Sequence, residues 1–243
     1  MIRGLYDAAT ALSEALVNQE VRAANLANAT STGYRSQGYA YGTFAATLDQ
    51  AVAAVPTTGP GSAGVSGIFT NFDPGPVQST GNPLDVAITG DGYFVVDGPG
   101  GQLYTRNGAF ELDSQGQLQT KSGLLVRGEG GPIAIPQGTS RIIISSDGTV
   151  QADANPVGRL QLARVANPRT SLQRVGDTLF QGPPPQPQLD TADIRVLQGY
   201  REGSNVQVVN EMISMLSGMR YYEASERALR TLSEATALNT RPQ

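Results

Sequence analysis

Hydrophobic and polar positions along this chain follow two different periods. Near the start, Leu5, Ala9, Leu12, Leu16, Gln19, Ala23 and Leu26 succeed one another at intervals of 4, 3, 4, 3, 4 and 3, which is a heptad seam on one face of a helix. With two alanines and a glutamine among its positions the seam is thin, so the helix needs a partner to cover it. The same alternation returns at Val208, Met212, Met215, Met219, Tyr222, Glu226 and Leu229. There Val209, Ile213 and Leu216 widen the apolar face, which predicts neighbours on more than one side. Before this second helix, Ser204-Asn205-Val206-Gln207 reads as a capping box, with Ser204 and Gln207 satisfying free amides reciprocally. Gly218, in mid-helix, costs about 1 kcal/mol relative to alanine and predicts a bend or a close backbone approach.

Between the helices the period shortens. YFVV, LYT, GLLV, PIAI and RIIIS are runs of β-formers. They are separated by Asp91-Gly92, Asp97-Gly98, Asn107-Gly108, Gln115-Gly116, Ser122-Gly123, Gln137-Gly138 and Asp147-Gly148, the dipeptides of tight turns. Residues 73–198 therefore read as one all-β domain, with GPPPQPQ (182–188) as a stiff excursion. The fold class is α+β, with two helices pairing as a coiled-coil-like stalk around an inserted all-β domain. Its parts are a helix in 1–33, an extended connecting segment in 34–72, the β domain in 73–198 and the second helix in 199–243.

Residues 36–72 carry one charge, Asp49, together with Tyr39, Tyr41, Phe44, Phe69 and Phe72. Charge-poor, aromatic-bearing sequence is unlike an ordinary disordered linker. Tyr39, Tyr41 and Phe44 are read as contacts to another protein.

Composition removes most chemistry. The 243 residues include no cysteine and no histidine, which excludes disulfides, thiolate nucleophiles, Cys/His metal sites and histidine-dependent triads. Asp91, Asp97 and Asp147 each precede a glycine, where turn geometry asks for aspartate, and no calcium-loop or phosphate-loop spacing occurs. No catalytic residue, cofactor or metal is expected, and the chain reads as a non-enzyme. The net charge of −4, with basic residues scattered, argues against nucleic acid. No apolar run is long enough to span a membrane, and Asp7 and Glu14 break the apolar stretch a cleavable secretion signal needs.

Three blocks resemble the axial proteins of the bacterial flagellum, its rod and hook subunits. LYDAATAL (5–12) and ANLANATSTGYR (24–35) are similar to the family's Asn-Leu-Ala-Asn motif. NPLDVAITGDGYFVV (82–96) with YTRNGAFELDSQGQL (104–118) resembles the start of its β domain, and EGSNVQVVNEMISML (202–216) with RYYE (220–223) resembles its C-terminal helix. RGEGGPIAIPQG (127–138) and PVGRLQLARV (156–165) look most like the proximal-rod branch, with the distal-rod branch next. Ala24 and Gly218-Met219 depart from the family pattern.

The resemblance implies a structural subunit of a hollow helical rod. The two helices would line an inner tube and the β domain would pack outside it. The shaft would transmit torque and conduct exported subunits. It implies partners among other rod subunits and copies of the chain itself, export through the flagellar type III apparatus, and a place in the periplasmic part of the basal body. The assembly interface is then expected on Leu5, Ala9, Leu12, Leu16, Gln19, Ala23 and Leu26, on Tyr39, Tyr41 and Phe44, and on Val209, Met212, Ile213, Leu216, Met219 and Tyr222. Asn28 and Gly33 are read as ending the first helix, Gly33 in a left-handed turn. The rival reading is a secreted β-rich binding module made oligomeric by a coiled-coil stalk.

Overall fold

The computed structural model describes residues 2–40, 67–184 and 193–239. The chain forms two compact units. One consists of Met1–Ala29, Gln37–Asn71 and Val206–Gln243, and the other of Thr30–Ser36 and Phe72–Asn205.

The first unit holds the long helices α1 (Ile2–Ala27) and, at the far end of the sequence, Val208–Asn239. A short helix, α2 (Pro168–Ser171), lies in the second unit, so Val208–Asn239 is α3. α1 and α3 pack along one another. Among the described residues no helix is long and apolar enough to cross a membrane. The stretch expected to be an extended connector contains strand Gln37–Ala40, paired antiparallel with Gly67–Thr70. Tyr41 and Phe44 lie outside the described residues, as does most of the proline-rich excursion.

The second unit is the β domain. Its largest sheet runs from Gln173–Arg174 through Leu179–Gln181, Gly101–Thr105, Tyr93–Gly98, Leu125–Gly128 and Leu118–Thr120 to Phe110–Leu112. The YFVV run supplies the central strand because both of its faces are covered. Phe94 and Val96 face the main core with Phe110, Leu118, Val150 and Ile133. Tyr93 and Val95 face a second core with Tyr104, Phe180 and Leu172, against which Phe72 packs. Phe72 thus belongs to the β unit, its ring 5.3 Å from that of Phe180.

Left-handed glycines occupy the expected turns at Gly116, Gly123, Gly138 and Gly148. Gly92, Gly98 and Gly108 do not adopt that conformation. At Gly98 the reversal falls one step later, with Gly98 paired to Gly101 across Pro99-Gly100. One hairpin has no glycine at all. Asp153 and Ala154 turn it with φ of 49° and 73°, steadied by the Asp153 carboxylate, which accepts from the Ser140 and Arg141 amides.

Two boundaries differ from expectation. The β unit does not end at 198: Tyr200–Glu202 pairs with Val77–Ser79, and residues 30–36 join it from the other side of the sequence. Nor does α3 start after Ser204. It starts at Val208, because Asn205 is held in the β unit, its Oδ1 accepting from Ser36 N at 2.6 Å and its Nδ2 donating to Asp73 O at 2.8 Å. Just ahead of α3, the Gln207 carbonyl accepts from Glu211 N at 2.9 Å and its side chain accepts from Asn210.

Candidate assembly surface

Of the heptad read on α3, Met215, Tyr222, Glu226 and Leu229 are half-buried, while Val208, Met212 and Met219 are exposed. Glu211 is buried, and Met215, Gly218, Tyr222, Ser225 and Leu229 are half-buried. These positions keep the 4-3 spacing but include a carboxylate and a glycine, which no apolar pattern marks. Among the described side chains of α1, the buried ones are Ala15, Val21 and Asn25. Leu12, Gln19 and Leu26 are half-buried beside them, while Ala9, Leu16 and Ala23 are exposed. The side chain of Leu5 lies outside the described residues.

Among the described residues, the other large apolar side chains in the first half of α3 are exposed. Val209 is 68% exposed, Met212 51%, Ile213 58%, Leu216 61% and Met219 48%. Large apolar side chains recurring along one helix at this exposure form a patch of the kind that marks protein contacts. Beside it, Ala15, Leu16 and Gln19 of α1 and Gly218, Met219, Tyr222 and Glu223 of α3 line a groove of about 330 Å³. A Cβ on Gly218 would lie 3.3 Å from the Gln19 Oε1, so this glycine marks a close approach of the two helices. Tyr39 is half-buried in its two-stranded sheet.

The motif ANLANATSTGYR does more than end a helix. α1 stops at Ala27, and Asn28 returns both its backbone N–H and its Nδ2 to Ala24 O, at 3.1 and 3.0 Å. Asn25, fully buried, donates to Gln37 O at 2.7 Å and accepts from Gln37 N at 2.8 Å, as a neighbouring strand would. The same Nδ2 donates to Glu211 Oε1 at 3.1 Å, and Arg22 Nη1 donates to Glu211 Oε2 at 3.0 Å. A carboxylate at the start of α3 is also favoured by the helix dipole.

The second half of the motif belongs to the β unit. Gly33, at φ +70°, donates to Glu202 O at 2.7 Å and passes so close to the 106–107 backbone that a Cβ would sit 2.4 Å from Asn107 N. Arg35 is fully buried, its Nη2 2.6 Å from Glu202 Oε1. Arg106 Nη1 donates to Glu202 Oε2 at 3.2 Å, and Gly75 N donates to Oε1 at 2.9 Å. Burial pulls the Arg106 guanidinium below its ordinary value against the opposing pull of Glu202, and burial pushes the Tyr93 phenol up. Sequence reading missed both acidic hubs. Their only trace was the pairing of two motif blocks, one near each end of the chain.

Comparison with known proteins bears on these same blocks. Residues 87–152 match the family described as flagellar hook protein FlgE/F/G D1 domain, and residues 197–236 match flagellar basal body rod FlgEFG protein C-terminal. The chain is 35% identical over 254 residues to the flagellar basal-body rod protein FlgF of Salmonella typhimurium, a match covering 96% of this chain and 95% of that one. It belongs to the flagellar basal-body rod protein family. A FlgF of Escherichia coli is 36% identical over 259 residues, covering 96% and 95% of the two chains. A FlgG of Buchnera aphidicola is 33% identical over 254 residues, covering 95% and 96%. Within this rod family, Glu202 and Glu211 fall in the C-terminal matched segment and Arg106 in the D1 segment.

Proposed function

We propose that this chain is a structural subunit of the flagellar basal-body rod, of the FlgF kind, and that its uncovered α3 face is the contact through which it assembles. The carrying observation is the row Val209, Met212, Ile213 and Leu216, each more than half exposed in the single chain. Burying a large aliphatic side chain is worth roughly 1.5–3 kcal/mol, so a repeated contact on this face stabilises a polymer without any cofactor. A chain that offers this face on one side and a different acceptor surface on another makes heterologous contacts, and these grow into a helical shaft instead of closing.

In this reading the helical unit forms the wall of a hollow rod and the β unit decorates it. The shaft carries torque and passes exported subunits through its lumen. The chain reaches the periplasmic part of the basal body through the flagellar type III apparatus, and its partners are neighbouring rod subunits and copies of itself. The role is mechanical, not enzymatic.

The test is the pair Ile213→Asp and Leu216→Asp. Each places a charge on the proposed contact, where burial without a partner costs several kcal/mol. Both variants are expected to keep the thermal unfolding of the purified chain and to abolish incorporation into basal bodies. Normal motility would remove this face from the contact. A purified chain forming a small oligomer of fixed size through the same face would favour the stalked binding module instead.

A further inference from the structure

Residues 30–36 reach the β unit from a part of the sequence remote from the rest of it, and they sit there as a bound peptide sits on a receptor. Every residue from 33 to 36 is held. Gly33 donates to Glu202 O at 2.7 Å. Tyr34 lies under the Arg174 guanidinium at 4.9 Å, and its carbonyl accepts from Asn205 N at 3.4 Å. Arg35 O accepts from Arg174 Nη2, and Ser36 N donates to Asn205 Oδ1 at 2.6 Å. The deepest contact is the ion pair of Arg35 with Glu202, whose side chains are 0% and 1% exposed. The Nε and Nη1 of Arg35 meet no acceptor among the described residues, so its compensation depends on that one carboxylate.

Glu202 in turn binds three separate parts of the β unit: Arg35 of the docked segment, Arg106 after strand Gly101–Thr105, and the amide of Gly75. Its own strand, Tyr200–Glu202, is the last of the unit. We propose that Glu202 is a positioning residue for assembly. By closing a buried Arg35–Glu202–Arg106 cluster it holds residues 30–36 on the β unit, and it can do so only once residue 202 is in place. The cluster therefore acts as a completion lock, because in a chain truncated before residue 202 docking of residues 30–36 would bury Arg35 without its carboxylate partner. The link to assembly rests on the rod reading above, whereas the lock itself does not.

Hydrogen exchange on the full-length purified chain tests the lock. In Glu202→Gln, amide protection across 31–36 is expected to fall roughly a hundredfold, as follows from uncovering a buried charge, while the central-strand amides of Val95 and Val96 stay protected. If Glu202→Gln unfolds outright, Arg35→Met serves instead, since it leaves Glu202 paired with Arg106 and Gly75. The double variant Arg35→Met/Glu202→Gln is expected to lose less than the two single losses combined, because the part of the Glu202→Gln loss that comes from stranding Arg35 disappears with Arg35. Unchanged protection of 31–36 in Glu202→Gln, or strictly additive losses, would overturn the lock. The positioning role is read in cells: variants that lose only 31–36 protection should be exported yet left out of basal bodies. Full incorporation of such a variant would overturn that role and leave the α3 face reading, tested separately at Ile213 and Leu216, untouched.

Discussion

Asn25 and Glu211, 186 residues apart in sequence, share a buried hydrogen bond of 3.1 Å in which an α1 amide donates to the first-turn carboxylate of α3. The amide also mimics a strand toward Gln37, so one side chain joins both helices to the sheet beside them. Asn25→Ala leaves the Gln37 amide and carbonyl and one Glu211 oxygen without this partner, and the loss should be about 2–3 kcal/mol of helical-unit stability. Asn25→Asp should be worse at pH 7, because it sets a second carboxylate against Glu211 and cannot donate to Gln37 O. Thermal melts of the two variants at pH 7 check this order.

On the alkaline side, the β unit should weaken through its tyrosines. Burial raises the pKa of Tyr93 above the usual 10.0, against the lowering influence of Arg106 and Arg35, and Glu202 and Asp91 add to the rise; burial also raises Tyr104. Above pH 10 the unfolded chain releases these protons while the folded chain keeps them. Fewer protons on the unfolded state means that stability falls with rising pH. Melting temperature should drop between pH 10 and 11, and Tyr93→Phe should flatten that drop.

Two glycines that look alike in sequence should respond oppositely to alanine. At Gly33 the added Cβ meets backbone at 2.4 Å in a left-handed conformation, and neither obstacle can move without displacing the 106–107 segment. Gly33→Ala should lower stability by several kcal/mol, on the scale of strain plus overpacking. At Gly218 the obstacle is the tip of Gln19 at 3.3 Å, which can swing aside. Gly218→Ala should be neutral or stabilising by up to about 1 kcal/mol, from helix propensity. Thermal melts of the two variants separate these outcomes.

What the sequence revealed and concealed follows from the range over which each signal acts. The long helices and the hairpins at Gly116 and Gly148 are local, so periodicity and turn dipeptides marked them. The hairpin at Asp153-Ala154 escaped because a carboxylate accepting two amides, not a glycine, holds its turn. The shielded side of α3 shares Met215, Tyr222, Glu226 and Leu229 with the heptad but also takes in Glu211 and Gly218, which no apolar pattern marks, while Met212 and Met219 stay exposed; apolar pattern reports the wider face, whichever partner covers it. Arg35 and Asn25 stood inside a recognised motif, but their roles depend on Glu202 and Glu211, and no local spacing encodes a pairing of that separation. For the same reason local sequence signals place residues 30–36 with the first helix and its exit and end the β unit at 198, whereas both Thr30–Ser36 and Tyr200–Glu202 belong to that unit.

The central claim is that the α3 face exposed in the single chain is covered in the rod. The sequence contains no cysteine, so Leu216→Cys introduces a single reporter thiol on that face, and a thiol there is a mild change in size and polarity. The direct measurement is the rate at which this thiol reacts with a maleimide in purified basal bodies, set against the rate in the purified chain. Coverage predicts a rate at least roughly a hundredfold lower in the basal body, as expected for a residue passing from about 60% exposure into a packed contact. Equal rates in the two states would contradict the account.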